Sequence, residues 1–196
     1  MPTIFTHSAF ALGATKLAIE QTDKRIMLAG GLLAALPDAD ALLMRWIAYG
    51  DGFGHRGFTH SLFFAVVMGC AVAFLFLQMK WHGKRRFVFL AGLFSLVTAS
   101  HGFFDALTTG GLGVAFFAPF DNTRYFFPIR PIPVAPLSAS GLFTAKGFNL
   151  LLWEFLLVWI FMIGAFIWTH KSVKRKIVAV IFWFTCALMW WVKFSA

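Results

Sequence analysis

His101 and Asp105 stand four residues apart. On an α-helix that spacing stacks both side chains on one face, a turn from each other, where one cation can take both. Asp38 and Asp40 follow Pro37. Two residues apart, they share a face only where the backbone is extended or broken, and Pro37 predicts such an interruption of the surrounding helix. The run His55-Arg56-Gly57-Phe58-Thr59-His60-Ser61 ends a glycine-rich loop and opens a helix. Thr59 and Ser61 are placed there to cap that helix or to donate to the histidines from behind. His7 and Glu154 lie singly within apolar runs.

Imidazoles with carboxylates make a mixed nitrogen and oxygen donor set, which suits zinc, manganese or iron better than calcium or magnesium. Zinc is the first expectation and manganese the alternative. The carboxylates could bridge two ions a few ångströms apart, the arrangement that activates water and clamps a phosphoryl or acyl group; one ion or two is left open. The plainer reading of the same residues is a network of interhelical hydrogen bonds that holds a bundle together. His55 either ligates or orients a neighbour, and Arg56 either binds an anionic group or snorkels. His82 and His170 fall within basic loops and read as surface residues.

The elements that must position these groups follow from composition. Of 196 residues, 60% are apolar and 13% charged, where a soluble domain carries about 25% charged residues. With a mean hydropathy of +0.78, the chain cannot hide its Phe, Trp, Leu and Ile from water, so a bilayer is the solvent. Spanning helices need about 20 mostly apolar residues. The candidate segments are Ile4–Ile19, Ile26–Ile47, Phe58–Met79, Phe87–Leu107, Phe148–Trp168 and Ile177–Val192. The first and last, at about 16 residues, are short enough to thin the bilayer or lie partly re-entrant. No stretch alternates with the period of a barrel strand, so an all-α integral membrane protein is expected, one polytopic domain over residues 1–196. The net charge of +9 resides in short loops beside apolar segments, which fits topology signals and argues against nucleic acid. Cys70 and Cys186 lie inside apolar runs as small hydrophobes, and the first residues lack the basic start of a cleavable signal peptide.

Lys80, Lys84, Arg85 and Arg86 in one loop, Lys171, Lys174, Arg175 and Lys176 in another, and Lys24 with Arg25 are separated by pairs of spans. The positive-inside rule puts all of them in the cytoplasm. His7, Asp38, Asp40, His55, His60, His101, Asp105 and Glu154 then fall toward the opposite, outer leaflet. Each ionisable group inside a span costs about 2.5 to 3.5 kcal/mol on insertion scales, so such a gathering predicts function. The outer connection 108–147, with its glycines, prolines and aromatic residues, is predicted to form a lid in the membrane interface. Its Arg124 and Arg130 either reach toward a phosphate or pair with lipid headgroups.

The set His7, Pro37-Asp38-Ala39-Asp40, His55 to Ser61 and His101-Gly102-Phe103-Phe104-Asp105 resembles the LexA-regulated, membrane-bound metal-dependent hydrolase family of bacterial inner-membrane proteins. The match runs from Thr6 to about Pro136, and its H-R-G-x-T-H-S block is the specific part. The resemblance implies a multi-pass helical protein of the inner membrane with a metal centre built from His7, Asp38, Asp40, His55, His60, His101 and Asp105. The ordering of His and Asp is also similar to that of zinc-dependent phospholipase C proteins, a looser likeness that favours a phosphoester. Glu154 lies outside the resemblance and is expected as a general base or as a partner behind the ligands. The leading expectation is a hydrolase that cleaves an ester or phosphoester of a membrane lipid or lipid-linked, amphipathic substrate at the periplasmic side. The ion would acidify a water, a free carboxylate such as Asp38 would take its proton, and Arg56, Arg124 or Arg130 would hold the anion. The rival expectations are a small transporter or metal carrier using the same cluster, and a noncatalytic membrane scaffold.

Overall fold

Long apolar runs with no strand-like alternation fold as helices, and the computed structural model is all-α over the residues it describes, 1–19, 23–78, 84–136, 139–169, 176–178 and 180–185. Helix α1 covers Ile4–Ala18 and α2 covers Lys24–Ala35, which opens on Asp23 accepting the Arg25 N–H at 2.8 Å. The chain continues as a 3-10 helix, Leu36–Leu43, and after a loop as a short 3-10 turn, Phe58–His60. Helix α3 is Leu62–Gln78 and α4 is Lys84–Ala106. After a 3-10 turn at Ala139–Phe143 come α5, Ala145–Glu154, a π-turn, Phe155–Trp159, and α6, Ile160–Trp168, in one continuous rod. Among the described residues there is no strand, only isolated bridges between Thr108 and Ile132 and between Val114 and Tyr125.

The expected interruption at Pro37 is present. The α-helical bonding ends at Ala35, and the tighter 3-10 turn carries Asp38 and Asp40 onward. The third apolar segment starts later than its hydropathy suggested, because Phe58–His60 winds as a 3-10 turn and extended Ser61 then caps α3, accepting the Phe64 N–H at 3.0 Å. Among the described residues, three stretches are long and apolar enough to cross a membrane: Lys24–Leu43, Arg85–Ala106 and Ala145–Trp168. Helix α1, at 15 residues, spans only about 22 Å at 1.5 Å per residue, and α3 is also a shorter apolar helix. The second half of the expected last segment, 186–192, lies outside the described residues.

The helices are apolar on both their buried and their outward faces. Ile26, Leu33, Leu90, Phe94 and Val97 fill the core, while Leu28, Leu32, Val66, Leu75, Val88 and Leu96 face outward, where lipid supplies the apolar contact. The two most intimate neighbours, α3 and α4, meet where Gly69 lies against Ser95; a Cβ on Gly69 would stand 2.3 Å from Ser95 Oγ and 2.5 Å from its backbone nitrogen. Helix α1 is fastened to the α5 rod by Glu154, which accepts the Thr3 N–H, the Thr3 hydroxyl and, at 2.7 Å, the Thr6 hydroxyl. Trp159 Nε1 donates to the same Thr6 oxygen at 2.7 Å. A carboxylate at the first turn also complements the helix dipole.

The start of α1, the tail of α2, the start of α3 and the end of α4 meet at one end of the bundle, beneath the segments 44–57 and 108–136. The second of these is tied down along its length. Ala115 N–H donates to Arg56 O at 3.0 Å, Leu62 N–H to Phe116 O at 3.0 Å, Phe127 N–H to Ala106 O at 3.0 Å and Ile132 N–H to Leu107 O at 3.2 Å.

Gly69→Leu should force α3 from α4 and cost about 1–3 kcal/mol through overpacking. A lowered thermal midpoint of the purified protein in detergent is the expected result, and an unchanged midpoint would contradict this packing.

Candidate metal centre

The site begins with a backbone carbonyl. Near the end of α2 the Ala34 oxygen lies 2.6 Å from His101 Nδ1. A carbonyl only accepts, so Nδ1 carries the proton and Nε2 presents its lone pair. That nitrogen faces Asp38 Oδ1 at 3.2 Å. His60 is set the same way. Its Nδ1 lies 3.2 Å from Asp40 Oδ2 and 3.0 Å from Thr59 Oγ, while the Thr59 hydroxyl donates to Asp40. His60 Nε2 is thereby aimed inward, 3.5 Å from Asp105 Oδ2 and 3.8 Å from Asp38 Oδ1. A backbone carbonyl or a carboxylate behind an imidazole is how proteins orient metal-ligating histidines.

Asp38, His60, His101 and Asp105 each offer one donor atom to a common space, all within 4.8 Å of one another and all buried. Around a tetrahedral ion with bonds near 2.1 Å, neighbouring donors sit about 3.4 Å apart. The edges of 3.2, 3.5 and 3.8 Å bracket that value. Among the described residues, Asp38 Oδ2, His60 Nε2 and Asp105 Oδ1 are buried without a hydrogen-bond partner, and Asp105 Oδ2 is held by its ion pair with Arg56. Lone pairs and carboxylates converging in a dry space repel one another, and a cation between them removes the cost. The residues fit a divalent ion. Glycine at position 102 permits the assembly, because a Cβ there would lie 2.8 Å from His60 O.

The other expected residues divide by position. Asp40 is a hub behind the quartet: it takes His55 Nδ1 at 2.6 Å, His60 Nδ1 and the Thr59 hydroxyl. With His55 and His60 it forms a second trio of metal-capable type, in which its oxygens are already engaged. His7 stands beside the quartet, its ring stacked on His101 at 3.7 Å and its Nε2 3.6 Å from Asp105 Oδ1. Glu154 is spent on Thr3 and Thr6.

The arginines serve the frame. Arg56 is 1% exposed. Its Nε pairs with Asp105 Oδ2 at 3.0 Å, one terminal nitrogen donates to Gly110 O at 2.8 Å and the other to Thr108 Oγ at 3.0 Å. Its backbone occupies the left-handed region, φ 64°, rare for a residue with a side chain and worth about 1–3 kcal/mol of strain. Arg124 donates to His55 O and Tyr49 O at 2.9 Å and to Asp51 O at 3.0 Å, and burial lowers its pKa from the ordinary arginine value. Arg130 is exposed, with its guanidinium 4.8 Å from the centre of the Phe126 ring. Sequence reasoning missed Ala34 and Thr108. The first is a backbone carbonyl, whose role no side chain announces; the second carried no signal beyond ending an apolar run.

Arg56→Ala should leave Asp105 buried without its guanidinium and cost about 3–5 kcal/mol. Arg56→Lys should recover only part of this in thermal unfolding, because one ammonium cannot replace a fork that reaches three partners. Complete recovery with lysine would refute the clamp.

A family model described as "YdjM inner membrane protein" matches residues 1–194. The chain is also similar to the inner membrane protein YbcI of Escherichia coli (strain K12), 37% identical over 177 residues that cover 87% of this chain and 100% of that protein. Both names place their proteins in the inner membrane, and neither states an activity or LexA regulation. No solved structure matches the chain significantly. With a match over nearly its whole length and apolar helices to agree with it, this chain belongs to the YdjM inner membrane protein family, a bacterial inner-membrane family.

Proposed function

We propose that the protein is a metal-dependent hydrolase that cleaves an ester or phosphoester of a lipid-linked or amphipathic substrate at the periplasmic side of the inner membrane. One observation carries the reading: Asp38, His60, His101 and Asp105 each bring one donor atom to a single buried space, all within 4.8 Å of one another, and among the described residues His60 Nε2, Asp38 Oδ2 and Asp105 Oδ1 have no hydrogen-bond partner. A divalent cation there, zinc first and manganese second, would supply Lewis acidity toward a carbonyl or phosphoryl oxygen and make water a nucleophile at neutral pH.

The remaining roles belong to the chain itself. His60 and His101 are held in one tautomer by Asp40 and the Ala34 carbonyl. Asp38 presents Oδ2 without a partner, and this oxygen takes the proton of the attacking water. Arg56 fixes Asp105 and ties the 108–136 segment down as a lid. Arg130, the exposed arginine of the three, meets the anionic part of the substrate. Trp46, Phe53, Phe117, Phe120 and Ile129 are exposed on the two covering segments, and aromatic residues so placed seat this end at the membrane interface, where an acyl-bearing substrate resides.

Purified protein should retain at least about one divalent ion per chain and hydrolyse members of a phospholipid panel; His101→Ala combined with Asp105→Ala should abolish both. Absence of bound ion from wild type would refute the centre, and an ion without hydrolysis, with metal flux in proteoliposomes, would assign the site to a carrier. The loop charges support the outward orientation. A cysteine introduced as Asp51→Cys should react in intact cells with a membrane-impermeant maleimide once the outer membrane is permeabilised; labelling only after lysis would reverse the topology.

A further inference from the structure

His7 is fully buried, and among the described residues neither of its ring nitrogens meets a hydrogen-bond partner. A dry imidazole with both nitrogens unsatisfied is costly. Its Nε2 lies 3.6 Å from Asp105 Oδ1, too long for a hydrogen bond and close to the edge between two donors on one ion. The Asp105 carboxylate therefore looks two ways: Oδ2 faces His60 and Arg56, while Oδ1 faces His7. His7 does not join the quartet that shares a single space.

Charge decides when a second ion would enter. Asp38, Asp40 and Asp105 bring three negative charges to the centre and Arg56 brings one positive. With the Met1 amine and Arg124 also acting on these carboxylates, one divalent ion already balances the centre, so a second would leave buried positive charge that a low-dielectric site does not tolerate alone. An oxyanion with two charges restores the balance. An uncharged carboxylic ester does not.

We propose that His7 Nε2 and Asp105 Oδ1 form a second divalent-cation position, bridged to the first through Asp105 and filled only together with a phosphate-bearing ligand. Its two protein donors leave the other coordination positions to water and phosphate oxygens, and the substrate class narrows to phosphate monoesters or their lipid-linked equivalents. This inference rests on the ion-binding reading above.

Manganese and inorganic phosphate are sufficient probes, used on the full chain in detergent after removal of unbound metal. Wild type should hold about one manganese per chain without phosphate and about two with it, and the phosphate-loaded form should show the exchange-coupled spectrum of a bridged pair in electron paramagnetic resonance. His7→Ala, and His7→Gln should alanine prevent folding, should stay at one with an uncoupled signal under both conditions. Asp105→Asn should lose the coupling. A count that phosphate leaves unchanged, two ions without phosphate, or an equal rise in the His7 variants would each overturn the second position while leaving the first intact. No bound ion under either condition would remove both.

Discussion

Carboxylates buried inside a lipid-facing bundle must find positive charge, and the architecture of this protein follows from where they find it. Asp105 is met by Arg56, and Asp40 by His55, His60 and Thr59, while Asp38 and the inner side of Asp105 face the Nε2 atoms of His60 and His101. Ion-pairing inside an apolar frame is expensive unless nearly every lone pair is answered. Among the described residues of this cluster, the atoms left without a hydrogen-bond partner are both His7 nitrogens, Asp38 Oδ2, Arg56 Nε, His60 Nε2 and both Asp105 oxygens.

Irregular backbone is concentrated where those charges lie. The α2 helix gives way to a 3-10 turn at Pro37, α3 is preceded by another, and Arg56 adopts a left-handed conformation between them. Each departure exchanges regular hydrogen bonding for a side-chain position. The strain at Arg56 persists because its carbonyl accepts from Ala115 while its guanidinium grips Asp105, Gly110 and Thr108. Covering segment and buried carboxylate are therefore held by one residue.

The helical class, the break at Pro37 and the gathering of His7, Asp38, Asp40, His55, His60, His101 and Asp105 were legible in residue order, because apolar length and loop charge determine which helix ends share a side. Roles within the cluster were not. Asp38 and Asp40 have the same chemistry two residues apart, yet the 3-10 turn sends one inward and the other behind His60. Arg56 carries nothing in its sequence context that says whether it faces a ligand or a carboxylate; that depended on the left-handed backbone and on Thr108, distant in the chain. Glu154 read as a general base or a partner behind the ligands, and the structure places it instead on the start of α1. Thr3 and Thr6 looked like ordinary small residues before the helices were placed.

The clasp between Glu154 and the opening turn of α1 joins residues 151 positions apart. Helix α1 precedes α5 in the chain and carries His7, but its polar start stays unanswered until α5 has been synthesised and inserted. The turn that carries His7 therefore finds its polar partner only once α5 has joined the bundle, so the seating of this imidazole depends on a contact far along the chain.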